Sequence, residues 1–119
     1  LALKVALAEV DPHPIVVLDE IDAGIGGAAA RAVGARIAAL AKSVQVLCVT
    51  HLAQIAAHAD EHIALEKARK RDRMTIAARA IDDREGLRAE IARMLSGDEE
   101  GAAALVHAEA LLRDVKASK

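Results

Sequence analysis

The sequence predicts an α/β fold, with parallel strands flanked by helices and followed by a β-hairpin and terminal helices. Three observations predict it. Two short apolar runs, Ile15-Val16-Val17-Leu18 and Val44-Gln45-Val46-Leu47-Cys48-Val49, are too short for helices and rich in β-branched residues. An Ala-rich segment with helical spacing lies between them, as a crossover between parallel strands requires. Beyond residue 61 the pattern changes, first to two alternating segments and then to two amphipathic ones.

The elements follow in order. Residues 1–10 place apolar side chains at Leu1, Leu3, Val5, Leu7 and Val10 among alanines, which predicts a helix ending before Asp11-Pro12-His13-Pro14. The chain opens inside that periodic stretch, so we expect a piece of a longer protein. The run at Ile15–Leu18 predicts a strand buried on both faces, ending in Asp19-Glu20. The glycine loop Ala23-Gly24-Ile25-Gly26-Gly27 leads into a helix from about Ala28 to Ala41, with Val33, Ile37 and Leu40 on one face. A second buried strand, Val44–Val49, ends in Thr50-His51, and a helix is expected from about Leu52 to Ala59. His62–Lys67 and Met74–Arg79 predict a hairpin around the polar turn Ala68–Arg73. Two helices, Arg84–Leu95 and about Glu100–Val115, complete the chain, separated by Ser96-Gly97-Asp98.

Composition narrows the function. Of 119 residues none is Phe, Tyr or Trp, so core volume must come from Leu, Ile and Val, and no base can stack on an aromatic of this chain. A net charge of −2 argues against a uniformly basic nucleic-acid binder. The single cysteine, Cys48, excludes an internal disulfide framework and reads as a small core residue. No signal peptide and no apolar run long enough to span a bilayer are present, so we expect a soluble intracellular domain without membrane contact.

In open α/β sheets ligands sit beyond the carboxyl ends of the strands. Asp19, Glu20 and His51 should therefore share one rim. An Asp at a strand tip suits Mg²⁺, an adjacent Glu can orient or deprotonate water, and a His can donate to a phosphate. Together these meet the needs of in-line phosphoryl transfer. Taken singly, the Asp-Glu pair also suits a solvated turn, and the His a surface position.

The words themselves go further. Ile15 to Glu20 (IVVLDE) resembles the Walker B motif of ABC-type ATPases, Ile21-Asp22-Ala23-Gly24 the D-loop after it, and Val49-Thr50-His51 the switch-histidine motif. The longer strings LDEIDAGIGGAAARAVG and VLCVTHLAQIAAHAD resemble the RecN family of bacterial DNA-repair proteins, relatives of the structural-maintenance-of-chromosomes (SMC) proteins. The segment Glu90–Gly97 also fits that family. The resemblance implies that residues 1–119 are the C-terminal half of an ABC/SMC-like ATPase head of the P-loop class. It implies that Asp19 holds Mg²⁺, that Glu20 is the catalytic base and that His51 contacts the γ-phosphate of ATP. It further implies that Asp22 and Gly24 form the D-loop, with Asp22 contributing to a head–head homodimer contact. It implies DNA as a partner, a role in double-strand-break repair by recombination, and a cytoplasmic, nucleoid-associated location.

No Walker A string, Gly-x-x-x-x-Gly-Lys-Ser/Thr, occurs in the chain. The cradle and the coiled coil are expected from the N-terminal half of the same head, and the signature loop immediately before Leu1, so the chain alone should be inactive. Rival readings are the head lobe of another ABC- or SMC-type ATPase, or a non-catalytic interaction module of the same fold.

Two further strings matter. Leu95-Ser96-Gly97-Asp98-Glu99 imitates an ABC signature but lies after Walker B, and a helix C-cap at Gly97 accounts for it better. The run Lys67-Ala68-Arg69-Lys70-Arg71-Asp72-Arg73 is the one concentrated positive patch. It reads first as a solvated turn guarding an exposed edge, and second as a contact for DNA phosphates.

Overall fold

The computed structural model describes residues 15–70, 73–97 and 101–117. The expected helix over residues 1–10 lies outside them. The described elements run β1 (Ile15–Leu18), α1 (Gly27–Leu40), β2 (Gln45–Cys48), α2 (Ala53–Ala56), β3 (His62–Lys70), β4 (Arg73–Ile81), α3 (Arg84–Ser96) and α4 (Ala102–Ala117). Strands β1 and β2 pair in parallel, Ile15 opposite Gln45 through Leu18 opposite Cys48, while β3 and β4 form a separate antiparallel hairpin. The α/β order read from the sequence is the order observed.

Three differences from the sequence reading stand out. The hairpin strands are nine residues each, longer than the alternating segments alone suggested, because pairing continues through the polar residues to Lys70 opposite Arg73. Backbone pairing does not require apolar side chains, so polar strand ends escape a reading based on hydrophobicity. Helix α2 is a single turn rather than the eight residues expected, and the chain leaves it in a turn through Ala57 and His58.

The third correction concerns burial. Neither β1 nor β2 is buried on both faces: Val16, Leu18, Val46 and Cys48 pack inward, whereas Ile15, Val17 and Leu47 are about half exposed. Successive strand side chains point to opposite faces. Among the described residues, helices cover one face only, so the continuous apolar runs leave an open face.

Two apolar clusters hold the fold. In one, Leu18 of β1 meets Ala30 and Ile37 of α1 and Ile55 of α2, with Val16, Val33, Val46 and Cys48 around them. In the other, Ala53 and Ala57 meet Ile91 and Ala92 of α3 and Ala108, Leu111 and Val115 of α4. Short as it is, α2 serves both: Ile55 faces the sheet side and Ala53 the helical pair. Alanines on that seam let the backbones approach closely. At Gly34 on α1 the approach is tightest, since an added Cβ would lie 2.5 Å from His58 Cδ2 and 3.1 Å from the Gln54 carbonyl oxygen.

Helix α3 has a side-chain cap at its start, where Asp83 Oδ1 accepts from Gly86 N at 2.7 Å. It ends at Gly97 in the left-handed conformation (φ 77°), with Gly97 N donating to Arg93 O at 2.7 Å. The signature-like string at Leu95 is thus a helix C-cap, as expected.

Candidate functional site

Parallel pairing puts the carboxyl ends of β1 and β2 at one edge, and the ladder continues one step beyond the strands, with Val49 N donating to Leu18 O at 2.8 Å. The segments that follow, Asp19–Gly24 and Thr50–Leu52, therefore leave the sheet side by side. Asp19 and Glu20 are both exposed there. Asp19 Oδ1 accepts from Glu20 N at 2.9 Å, which helps turn the chain sharply. Glu20 departs from ordinary backbone preference: it is the one non-glycine among the described residues with positive φ, at 53°. A residue with a Cβ in this region carries strain of about 1–2 kcal/mol. The chain then turns through Ile21–Gly24, with Ile25 N donating to Asp22 O at 3.2 Å and Gly24 at φ 75°, a conformation suited to glycine.

Asp22 joins the two segments. Its side chain is 7% exposed, and its Oδ2 accepts from Thr50 Oγ1 at 2.6 Å and from His51 N at 2.9 Å. The His51 ring closes on the same oxygen, with Nδ1 at 2.9 Å. Thr50 Oγ1 in turn accepts from Leu52 N at 3.0 Å, at the start of α2. One carboxylate oxygen thus organises the backbone, the hydroxyl and the ring of a segment nearly thirty residues away.

Burial pushes the Asp22 carboxyl upward, but the Thr50 hydroxyl, the His51 amide, its own backbone amide and the His51 ring outweigh it, and the pKa lies below its usual 3.8. Asp22 is therefore a carboxylate near neutrality. A carboxylate at Nδ1 selects the ring form with hydrogen on Nδ1, leaving Nε2 as the second nitrogen of a side chain 77% exposed. Beneath the rim, burial and then the charges of Asp22 and Asp19 raise the pKa of the half-buried Cys48 thiol, which suits a packing role.

Each residue expected at the rim is found there. The side-chain contact that joins the two segments is between Asp22 and His51, while Asp19 and Glu20, bonded to each other, are brought to the same edge by strand register. The sequence reading gave Thr50 no role of its own. Its signal was local: a hydroxyl directly before the His at a strand end, three residues ahead of a helix start, where Ser and Thr commonly bond nearby backbone. Among the described residues no three His, Cys, Asp or Glu side chains cluster as a metal cage, and no helix is long and apolar enough to cross a membrane.

No protein-family model matches the chain. Individual proteins do. The DNA repair protein RecN of Treponema pallidum is 47% identical over 114 residues, spanning 95% of this chain and 20% of that protein. RecN of Streptomyces coelicolor is 42% identical over 119 residues, spanning 100% of this chain and 21% of its own length. RecN of Deinococcus radiodurans is 54% identical over 99 residues, or 83% of this chain and 17% of that one. The chain thus spans about a fifth of the length of the relatives it matches. Among solved structures, a chain from work on the ATP-driven dimerization and DNA-stimulated activation of SMC ATPases superimposes with a TM-score of 0.54 at 23% identity, covering 65% of this chain and 47% of its own. At that identity the likeness speaks to the fold.

Proposed function

We propose that this chain, similar along nearly its whole length to about a fifth of the RecN DNA-repair proteins, is the C-terminal lobe of an ATPase head of that kind. In this reading Asp19 holds Mg²⁺, Glu20 is the general base for the attacking water, and His51 contacts the γ-phosphate of ATP. Asp22 and Gly24 belong to the D-loop at a head–head homodimer. The phosphate cradle and the coiled coil come from the N-terminal half of the head. DNA is the partner, and ATP hydrolysis serves double-strand-break repair through recombination in the bacterial cytoplasm, at the nucleoid.

The observation that carries this reading is the Asp22 junction. Two hydrogen bonds and the His51 ring contact, all on one oxygen, tie the segment bearing Asp19 and Glu20 to the segment bearing His51. A solvated turn and a stray surface histidine need no such tie. Pre-positioned groups, by contrast, are what phosphoryl transfer asks of a protein, since most of its catalysis is placement and electrostatics.

The residues also fit the ion. Mg²⁺ takes oxygen ligands and is commonly held by one or two carboxylates together with phosphate oxygens and water. The exposed Asp19 carboxylate, steadied by the Glu20 amide, suits a site of that type better than an all-protein cage. When bound, the ion would neutralise phosphate charge during transfer. Glu20, held in a sharp turn directly after Asp19, would receive the proton of a water beside it.

The test is reconstitution. ATP hydrolysis should be absent from the isolated chain and should appear when it is joined to an N-terminal half bearing Walker A. A complete head that hydrolyses no ATP would return the chain to the interaction-module reading.

A further inference from the structure

The β3–β4 hairpin is electrostatically two-ended. Residues 62–81 hold six cations (Lys67, Arg69, Lys70, Arg71, Arg73 and Arg79) against two carboxylates (Glu66 and Asp72), a net of +4. The whole chain is −2, so everything outside the hairpin sums to −6. Arg79 is paired across the strands with Glu66 at 3.0 Å, which leaves the positive excess in residues 67–73. The register places Lys67, Arg69, Lys70 and Arg73 toward the end away from the body of the fold, with Lys67 opposite Ile76, Arg69 opposite Met74 and Lys70 opposite Arg73. At the other end the strands are flanked by Asp60, Glu61, Asp82 and Asp83, all exposed.

We propose that the distal end of this hairpin contacts the phosphate backbone of duplex DNA without reading its bases. The inference rests on the proposed DNA-repair function and gives it a surface. Distance makes the two-ended arrangement effective. Eight residue steps of β-strand span about 26 Å, between two and three screening lengths at about 0.1 M salt. The carboxylates at the base therefore do not cancel the field at the tip, and they repel a polyanion lying along the body. Edge protection alone would distribute charge along the strands. Here the cations gather at one end while Ile63, Leu65, Met74 and Ile76 stay exposed along the ribbon. The chain has no aromatic residue to stack on an unpaired base, so phosphates are the available contact and a duplex suffices.

The experiment is a salt titration of binding between the full-length protein and a labelled duplex, with Lys67, Arg69, Lys70 and Arg73 all changed to Gln in the variant. The slope of log affinity against log salt should become shallower by about 2–4, at roughly 0.9 for each phosphate no longer neutralised. Affinity at low salt should fall at least about tenfold, equally for duplexes of different sequence. Melting temperature and hydrolysis without DNA should not change. The single variant Lys67→Gln, at an exposed position, should lower the slope by about one. The charge-preserving pair Arg69→Lys and Arg73→Lys should retain it. An unchanged slope in the variants, a weakening confined to one sequence, or variants that lose binding to phosphatidylglycerol vesicles while keeping full DNA binding would each overturn the proposal. If the unmodified protein binds no duplex at all, the DNA-repair reading falls with it. If it binds and the variants bind equally well, the hairpin proposal alone falls.

Discussion

Asp22 Oδ2 lies 2.9 Å from His51 Nδ1, although the two residues are separated by a strand, a helix and a turn. The same oxygen takes the Thr50 hydroxyl and the His51 amide, so the junction depends on a buried acceptor rather than on an exposed ion pair. Asp22→Ala would leave both donors without that acceptor. Destabilisation by about 2–3 kcal/mol is expected, the cost of leaving partly buried donors unpaired, and denaturant melts of the complete head would read it. A variant as stable as the parent would mean that water replaces the carboxylate without penalty.

The acid limb of stability should carry the same signature. The Asp22 pKa is lowered in the fold, so the carboxylate's contribution is complete above the unfolded value near 3.8 and is lost as pH falls through the depressed folded value. The stability gap between parent and Asp22→Asn should stay flat from neutrality down to mild acid and then narrow. A gap that widens toward low pH would contradict the direction of the shift.

Glu20 offers a separation of chemistry from folding. Glu20→Gln in the complete head should leave ATP binding intact and slow hydrolysis by roughly 10²–10⁴-fold, the worth of a general base. Glu20→Gly should match or exceed the parent in melting temperature, because glycine accepts the positive φ freely. Glu20→Val should melt lower, with an added strain of about 1–2 kcal/mol. Near-normal turnover in Glu20→Gln would remove Glu20 from the role of base.

His51→Ala should also impair turnover. If His51 acts through the ring that Asp22 holds, Thr50→Val should reduce turnover less than His51→Ala, since it removes one of the bonds around Asp22 and keeps the ring contact. Steady-state kinetics on the three proteins would decide this. Equal turnover in His51→Ala and the parent would confine His51 to a structural role.

At the seam between α1 and α2, Gly34→Ala should cost about 1–3 kcal/mol by overpacking, because its Cβ would fall 2.5 Å from His58 Cδ2. Combining it with His58→Ala should give a total smaller than the sum of the two single effects, since removing the ring makes room for the methyl group. Additive effects would place the strain on the Gln54 carbonyl instead.

Residue patterns confined to short stretches of chain determined a good deal. The strand runs at Ile15 and Gln45, the helices between and after them, the C-cap at Gly97 and the arrival of Asp19, Glu20 and His51 at one rim all follow from local periodicity and from the rule that parallel strands end on the same side. The motif strings carried the family resemblance for the same reason, being contiguous. Tertiary structure decided what depends on residues far apart in sequence. It made Asp22 the junction with Thr50 and His51, brought His58 against Gly34, set α2 between two clusters and left one face of β1 and β2 uncovered. A side chain's type restricts which bonds it can form. Which partner it meets is set by packing, and packing joins positions that no local pattern connects.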